Sequence, residues 1–270
     1  ANFAYRTLIY QGFAKNSIRY LSSDTHLDLD ENGILDDVAG DATNTNLQNA
    51  IVTWAADAES LVVYLVDHGG SGSFRMSAKE TLSATQLSAW LDDLQSKITG
   101  KVIVVYDACE SGSFIAALKP PAGKDRIVIS STSPGESAYF VTQGSVSFSN
   151  YFWTHVFNGA SIKDAFELTK EASGYTTAYQ HPLLDANGNG AANEPEDLTL
   201  IQNAYIGNGT LIRGSAPVIA EVSPAQTVNN SSALLYASGV TDTDGIARVW
   251  AVIRPPDYNQ NASSSPVQNL

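Results

Sequence analysis

Residues 101–113 read KVIVVYDACESGS. From Val102 to Tyr106 apolar, mostly β-branched side chains follow one another without alternation, and Asp107 ends the run. A short run of this kind predicts a strand covered on both faces. The same signature recurs at residues 61–66 (LVVYLV) and 126–131 (RIVISS). Helical spacing of apolar residues separates these runs, at 47–58 and 84–97. Short apolar strands alternating with helices predict an α/β fold with a mostly parallel, doubly wound sheet. In such a sheet the carboxyl ends of neighbouring strands share one edge, where functional residues collect.

Outward from this centre, residues 3–14 predict a helix and Ser17–Leu21 a short strand leading into an acidic loop. Two more helices are expected at Ser149–Phe157 and Ile162–Ala172, then a Gly- and Asn-rich loop at 185–196. From residue 215 the texture changes to short alternating runs broken by Pro, Asn and Asp-Gly, with a hairpin turn at 242–245. This divides the chain into 1–214 and a small β-rich segment, 215–270. The latter is shorter than the roughly 100 residues of a full immunoglobulin-like sandwich, so it reads as a partial domain or an appendage.

Composition narrows the function. With 28 acidic against 15 basic residues the formal charge is −13, and no basic patch offsets it. Such a surface repels phosphate backbones and excludes a nucleic-acid partner, while suiting cationic peptides or divalent metal ions. No apolar run approaches the roughly 18 residues of a membrane span, so membrane insertion is not expected. The single cysteine, Cys109, permits no internal disulfide. A lone Cys is ordinarily an inert small hydrophobe, so its context must argue for anything more.

That context is the pairing of two strand ends. YLVDHGGSGSF puts His68 just past one buried strand, and VVYDACESGSF puts Cys109 just past the next. A thiol nucleophile needs a base within reach, and parallel neighbouring strands would bring these two together. Gly69, lacking Cβ, allows close backbone approach, and its N–H together with that of Cys109 could stabilise an oxyanion. Taken together, the strand ends resemble the caspase and legumain superfamily of cysteine peptidases. The legumain family carries Glu-Ala-Cys-Glu-Ser-Gly-Ser; residues 107–113, Asp-Ala-Cys-Glu-Ser-Gly-Ser, differ in the first residue only. The segment SSTSPGESAYF (130–140) is similar to the strand and loop that follow the nucleophile in that family.

The resemblance covers residues 3–172 and implies a caspase-like three-layer α/β/α sandwich. It also implies a cysteine endopeptidase acting on peptide or protein substrates through a Cys109 thioester, with His68 as acid/base. Asp107 and Ser137 would then touch the substrate, and a carboxylate at 107 favours cleavage after Arg or Lys, with Asn next. The family begins with a buried strand that has no counterpart before the first helix here, so that strand is expected from a separate polypeptide or a missing segment. The other readings are a transpeptidase on the same site, or a catalytically silent, calcium-stabilised binding or adhesion module.

Two loops are candidates for structural Ca2+. Asp28, Asp30 and Asn32 followed by Gly33 open a calcium-loop template, with Asp36 or Asp37 closing it. Asp185, Asn187, Asn189, Gly190 and Glu196 fit a second one, although Pro195 interrupts it. No organic cofactor is expected.

Overall fold

The computed structural model describes residues 1–177, 179–210, 217–224, 227, 232–242, 246 and 249. Most of the 215–270 segment, including residues 243–245 of the expected turn, lies outside the described residues. Helix α1 (Asn2–Tyr10) precedes two short parallel strands, β1 (Tyr20–Leu21) and β2 (Val38–Gly40), joined by the acidic loop. Helix α2 (Asn44–Val52) starts where the Thr43 hydroxyl accepts from the Asn46 N–H and passes into a tight turn at Trp54–Asp57. Strand β3 (Leu61–Val66) is followed by a small antiparallel sheet of β4 (Gly69–Gly70), β5 (Ser73–Arg75) and β6 (Thr81–Ser83).

Helix α3 (Ala84–Gln95) begins at a capping box in which Ser83 and Gln86 satisfy each other's backbone N–H. Then come β7 (Val102–Asp107) and β8 (Arg126–Ser130). Helices α4 (Phe148–Phe157) and α5 (Ile162–Thr176) follow, each capped by a serine, Ser147 and Ser161. Strand β9 (Leu183–Asp185) and the short α6 (Pro195–Leu200) complete this part.

The main sheet has the order β3-β7-β8-β9, parallel except for β9. Every residue of β7 and β8 is buried, as expected for parallel strands with both faces covered. Side chains alternate across the sheet: Val102, Val104 and Tyr106 pack with Leu47, Ile51, Leu87, Leu91 and Leu94 of α2 and α3. Ile103 and Val105 pack on the other face with Ala4, Phe152, Trp153 and Phe166 of α1, α4 and α5. The result is the expected three-layer α/β/α sandwich. Leu87, Leu91 and Leu94 are fully buried at helical spacing, each worth about 1.5–3 kcal/mol of apolar burial.

Arg126 sits inside this core. Its guanidinium donates to Gln95 Oε1 at 2.6 and 2.9 Å, to Asp92 Oδ1 at 2.7 Å and to the Leu118 carbonyl at 3.2 Å. Burial pulls its pKa down and the Asp92 pairing opposes that, so the pairing makes a buried charge tolerable.

Among the described residues, the outer edge of β3 has no strand partner in this sheet. It faces a cavity of about 1160 Å3 whose walls include the consecutive runs 16–23 and 57–68. A strand face would present alternate residues; unbroken runs are strand edges. The cavity thus separates the edge of β3 from the segment that carries β1, with Ala4, Tyr5, Leu47 and Ile51 among its apolar lining.

Contacts divide the chain near residue 211, the second unit falling within Ile212–Tyr258. Its described residues include β10 (Glu221–Val222) and β11 (Ala237–Ser238), an antiparallel pair, and a bridge between Val218 and Thr241. No helix among the described residues is long and apolar enough to cross a membrane.

Candidate active site

Strands β3 and β7 pair in register from Leu61–Val102 to Val66–Asp107. His68 and Cys109 each follow that last pair by two residues, so they leave the sheet at one level on strands about 4.8 Å apart. His68 is exposed and Cys109 partly exposed. Neither is packed into the core.

The β4–β5 ladder orients the His68 side. Arg75 N–H donates to the His68 carbonyl at 2.9 Å, and Gly69 stands opposite Phe74. Bonded and non-bonded pairs alternate along an antiparallel ladder. Gly69 therefore falls on a non-bonded position, and its N–H is directed away from β5. A Cβ on Gly69 would meet the Cys109 carbonyl oxygen at 2.3 Å and the Tyr106 hydroxyl at 2.7 Å. Glycine is what lets the two strand-end loops touch.

Each residue of the Cys-Glu-Ser-Gly-Ser run has a local task. Glu110 adopts φ 55, a costly left-handed turn for a non-glycine, held by its N–H donating to the Glu136 carbonyl at 2.7 Å. Ser111 is buried, its N–H donating to Thr132 Oγ1 at 2.9 Å and its Oγ accepting from the Thr132 N–H at 3.1 Å. Gly112 passes so close to the 132–134 backbone that a Cβ would lie 2.5 Å from the Thr132 carbonyl oxygen. Ser113 Oγ donates to the Glu110 carbonyl at 2.6 Å and accepts from Gly72 N–H at 2.9 Å. That last contact clips the cysteine loop to the histidine hairpin.

Cys109 Sγ accepts from the Ala138 N–H at 3.4 Å. Ser137, half-buried, adjoins that donor and so stands beside the thiol. Asp107 is only 1% exposed. Its Oδ2 accepts from the Ser149 N–H at 3.0 Å and from the Ser149 hydroxyl, and Tyr64 donates to Ser149 Oγ at 2.7 Å. Its Oδ1 is buried with no hydrogen-bond partner among the described residues, although the Ser131 hydroxyl lies near enough to favour the ionised carboxylate. Burial raises the Asp107 pKa, with the Ser149 bonds acting in the opposite direction.

Residues 4–181 match the family model described as Peptidase C13 family. The chain belongs to that family. Peptidase C13 proteins are cysteine peptidases of the legumain kind, and the match spans both strand ends described above. Among solved structures, caspase-1 from Spodoptera frugiperda is similar at 12% identity and a TM-score of 0.44, over 68% of this chain and 75% of that one. No curated protein matches the sequence.

The C13 match stops before the second candidate calcium loop. In the first loop, Asp28, Asp30 and Asp37 bring carboxylate oxygens within 4.8 Å of one another. Lys15 is set among them, its ammonium paired with Asp30, Asp36 and Asp37. Burial raises the Asp37 pKa, but bonds from Lys15, Tyr5 and the Leu29 and Asp30 N–H groups outweigh it and bring it down to about 2. Asn32 turns its Oδ1 to the Ile34 N–H and its amide to Asp30.

In the second loop Asp185 accepts from the Gly188 and Gly190 N–H groups, both at 2.8 Å. Asn187 and Asn189 donate their amides to Glu194 Oε2. Glu196 is exposed on α6 and away from this network. The inward acids are Glu194 and Asp197, the latter fully buried and accepting from the Ala186, Asn187 and Glu194 N–H groups. Pro195 starts α6, which shifts the inward position by one residue from the template.

Proposed function

We propose that this peptidase cleaves through a Cys109 thioester. The thiol proton passes to His68 as sulfur attacks the peptide carbonyl, and the imidazolium returns it to the departing amine. Water then attacks the thioester with His68 taking its proton, which restores the thiol and releases the acid. Gly69 N–H serves the oxyanion. The observation that supports this reading is the register of β3 and β7, by which His68 and Cys109 each follow the last strand pair by two residues, at one edge of the sheet. A peptidyl acyloxymethyl ketone probe tests it by intact mass. One adduct per chain, lost in Cys109→Ala and slowed in His68→Ala, is expected; labelling elsewhere overturns it.

For the residue before the cleaved bond we propose Arg or Lys, with Asn next. The support is the burial of the Asp107 carboxylate, whose Oδ1 has no hydrogen-bond partner among the described residues, since a buried carboxylate oxygen is costly until a donor reaches it. A peptide series varied at that residue tests the preference, and faster cleavage after Asp overturns it.

The cavity along β3 belongs to the same proposal. An extended apolar strand, from a separate polypeptide or an attached segment, would add to the free edge of β3 and steady the His68 hairpin. Mass spectrometry of an active preparation should find such a segment; activity without one argues against it.

Structural Ca2+ is proposed at the 185–197 loop, where Asp185, Glu194 and Asp197 belong to one hydrogen-bonded loop network and none has an ion pair to a described residue. Calcium should raise the melting temperature by linkage and a chelator reverse it; an unchanged transition removes the proposal.

A further inference from the structure

Beside His68 lies a recess of about 380 Å3, walled by His68, Gly69, Gly70, Arg75, Lys79 and Glu80 among others. None of its walls comes from the cysteine loop or from the 132–139 segment. It therefore opens on the histidine side of the pair, away from Asp107 and Ser137.

The chemistry proposed above fixes which part of a substrate passes over it. His68 hands its proton to the departing amine, so that nitrogen must come within hydrogen-bonding reach of the imidazole. The residue that carries this nitrogen follows the cleaved bond. Its side chain is the one that meets the recess.

The recess is cationic on a chain whose formal charge is −13. Arg75 and Lys79 are exposed, and neither forms an ion pair with a described residue. The one acid in the wall, Glu80, is engaged elsewhere: its Oε2 accepts from the Asn44 N–H at 2.8 Å, at the start of α2. A helix start is itself electropositive, which holds that carboxylate in place.

Both cations are carried on the hairpin that carries His68. Arg75 closes β5, bonded to the His68 carbonyl and flanked by the buried Phe74 and Met76. Lys79 lies in a turn where Met76 and Ser77 N–H donate to the Glu80 carbonyl and Ser77 Oγ accepts from the N–H groups of Lys79 and Glu80. Their backbones are thus fixed relative to the imidazole. Two cations without an ion pair, held close together on the hairpin beside the imidazole, offer a carboxylate a charge-assisted partner at that point of an otherwise acidic chain.

We propose that this recess receives the carboxylate side chain of an Asp or Glu immediately after the cleaved bond, with Arg75 and Lys79 as its partners. The inference rests on the thioester reading above. The preferred site in a substrate is then a basic or amide residue followed by an acidic one.

Internally quenched peptides identical except for Glu, Gln or Lys at that residue test it with the full-length protein, compared by kcat/KM. Glu should exceed Gln by about fivefold to tenfold at low salt and by less at 0.5 M salt, as screening predicts. The ratio should fall to about one in an Arg75→Gln/Lys79→Gln double variant. In Arg75→Glu/Lys79→Glu the Lys peptide should become the better substrate, a reversal that lost stability could not produce. Equal cleavage of the three peptides by the unaltered protein overturns this inference and leaves the peptidase reading standing. Failure to cleave any of them removes both.

Discussion

A methyl group on residue 69 would come within 2.3 Å of the Cys109 carbonyl oxygen, a distance no Cβ tolerates, and the obstacle is backbone rather than a flexible side chain. Gly69→Ala must therefore push the His68 hairpin away from the cysteine loop. A displacement near 1 Å at a catalytic pair can cost about a hundredfold in rate. We expect kcat/KM to fall by about that factor, with a stability loss of about 1–3 kcal/mol, read from peptide hydrolysis and urea unfolding. Unchanged kinetics would show that the hairpin does not set the catalytic geometry.

Asp107 gives a second prediction at this scale. Its folded pKa is raised, chiefly by burial, so the folded state holds this proton at pH values where the unfolded chain has released it. Folding is then favoured by Asp107 protonation at acid pH and opposed by its ionisation as pH rises through the folded value. Asp107→Asn should therefore stabilise the fold near neutral pH, by about 2–4 °C in Tm if the gain is 1 kcal/mol. The gain should vanish below the ordinary carboxylate range near pH 4. Thermal melts across pH 4–8 check this; a constant difference would contradict the assignment.

Residues of this kind divide sharply in how far sequence reveals them. The placing of Cys109, His68 and Gly69 just past the ends of two neighbouring parallel strands was legible because strand ends and short motifs are local patterns. The Ala138 N–H at the thiol and the Ser113–Gly72 clip were not, since they depend on contacts 29 and 41 residues apart. Glu196 was misplaced for a related reason: template counting does not register that Pro195 begins a helix.

At the scale of elements, the buried strands were readable because covering both faces removes polar residues and leaves an unbroken apolar run. The β4–β6 sheet was not, its strands being two or three residues long and partly glycine. Strand β9 escaped too, since its three residues sit beside a turn-rich loop. Helix α1 stops at Tyr10 and α2 at Val52, earlier than periodicity suggested, as both give way to tight turns. The buried Arg126 that ties α3 to β8 supplies the element-scale test. Gln95→Leu removes its 2.6 and 2.9 Å partner and leaves a buried guanidinium short of acceptors. A loss of about 2–4 kcal/mol in unfolding free energy is expected. A change below about 0.5 kcal/mol, the size of an ordinary surface effect, would mean that water reaches the guanidinium.

For the whole molecule, the three layers and their parallel sheet bring two loops distant in sequence to one edge, and the account of function follows from that. Hydrolysis of internally quenched peptides by the unaltered protein, Cys109→Ala and His68→Ala, with each variant first shown to keep its melting temperature within a few degrees, tests the central claim most directly. Loss of a nucleophile or its base typically costs a thousandfold or more in kcat, so both variants should fall by at least about that factor. Either variant retaining about a tenth of the original rate would contradict the assignment of Cys109 and His68 as the catalytic pair.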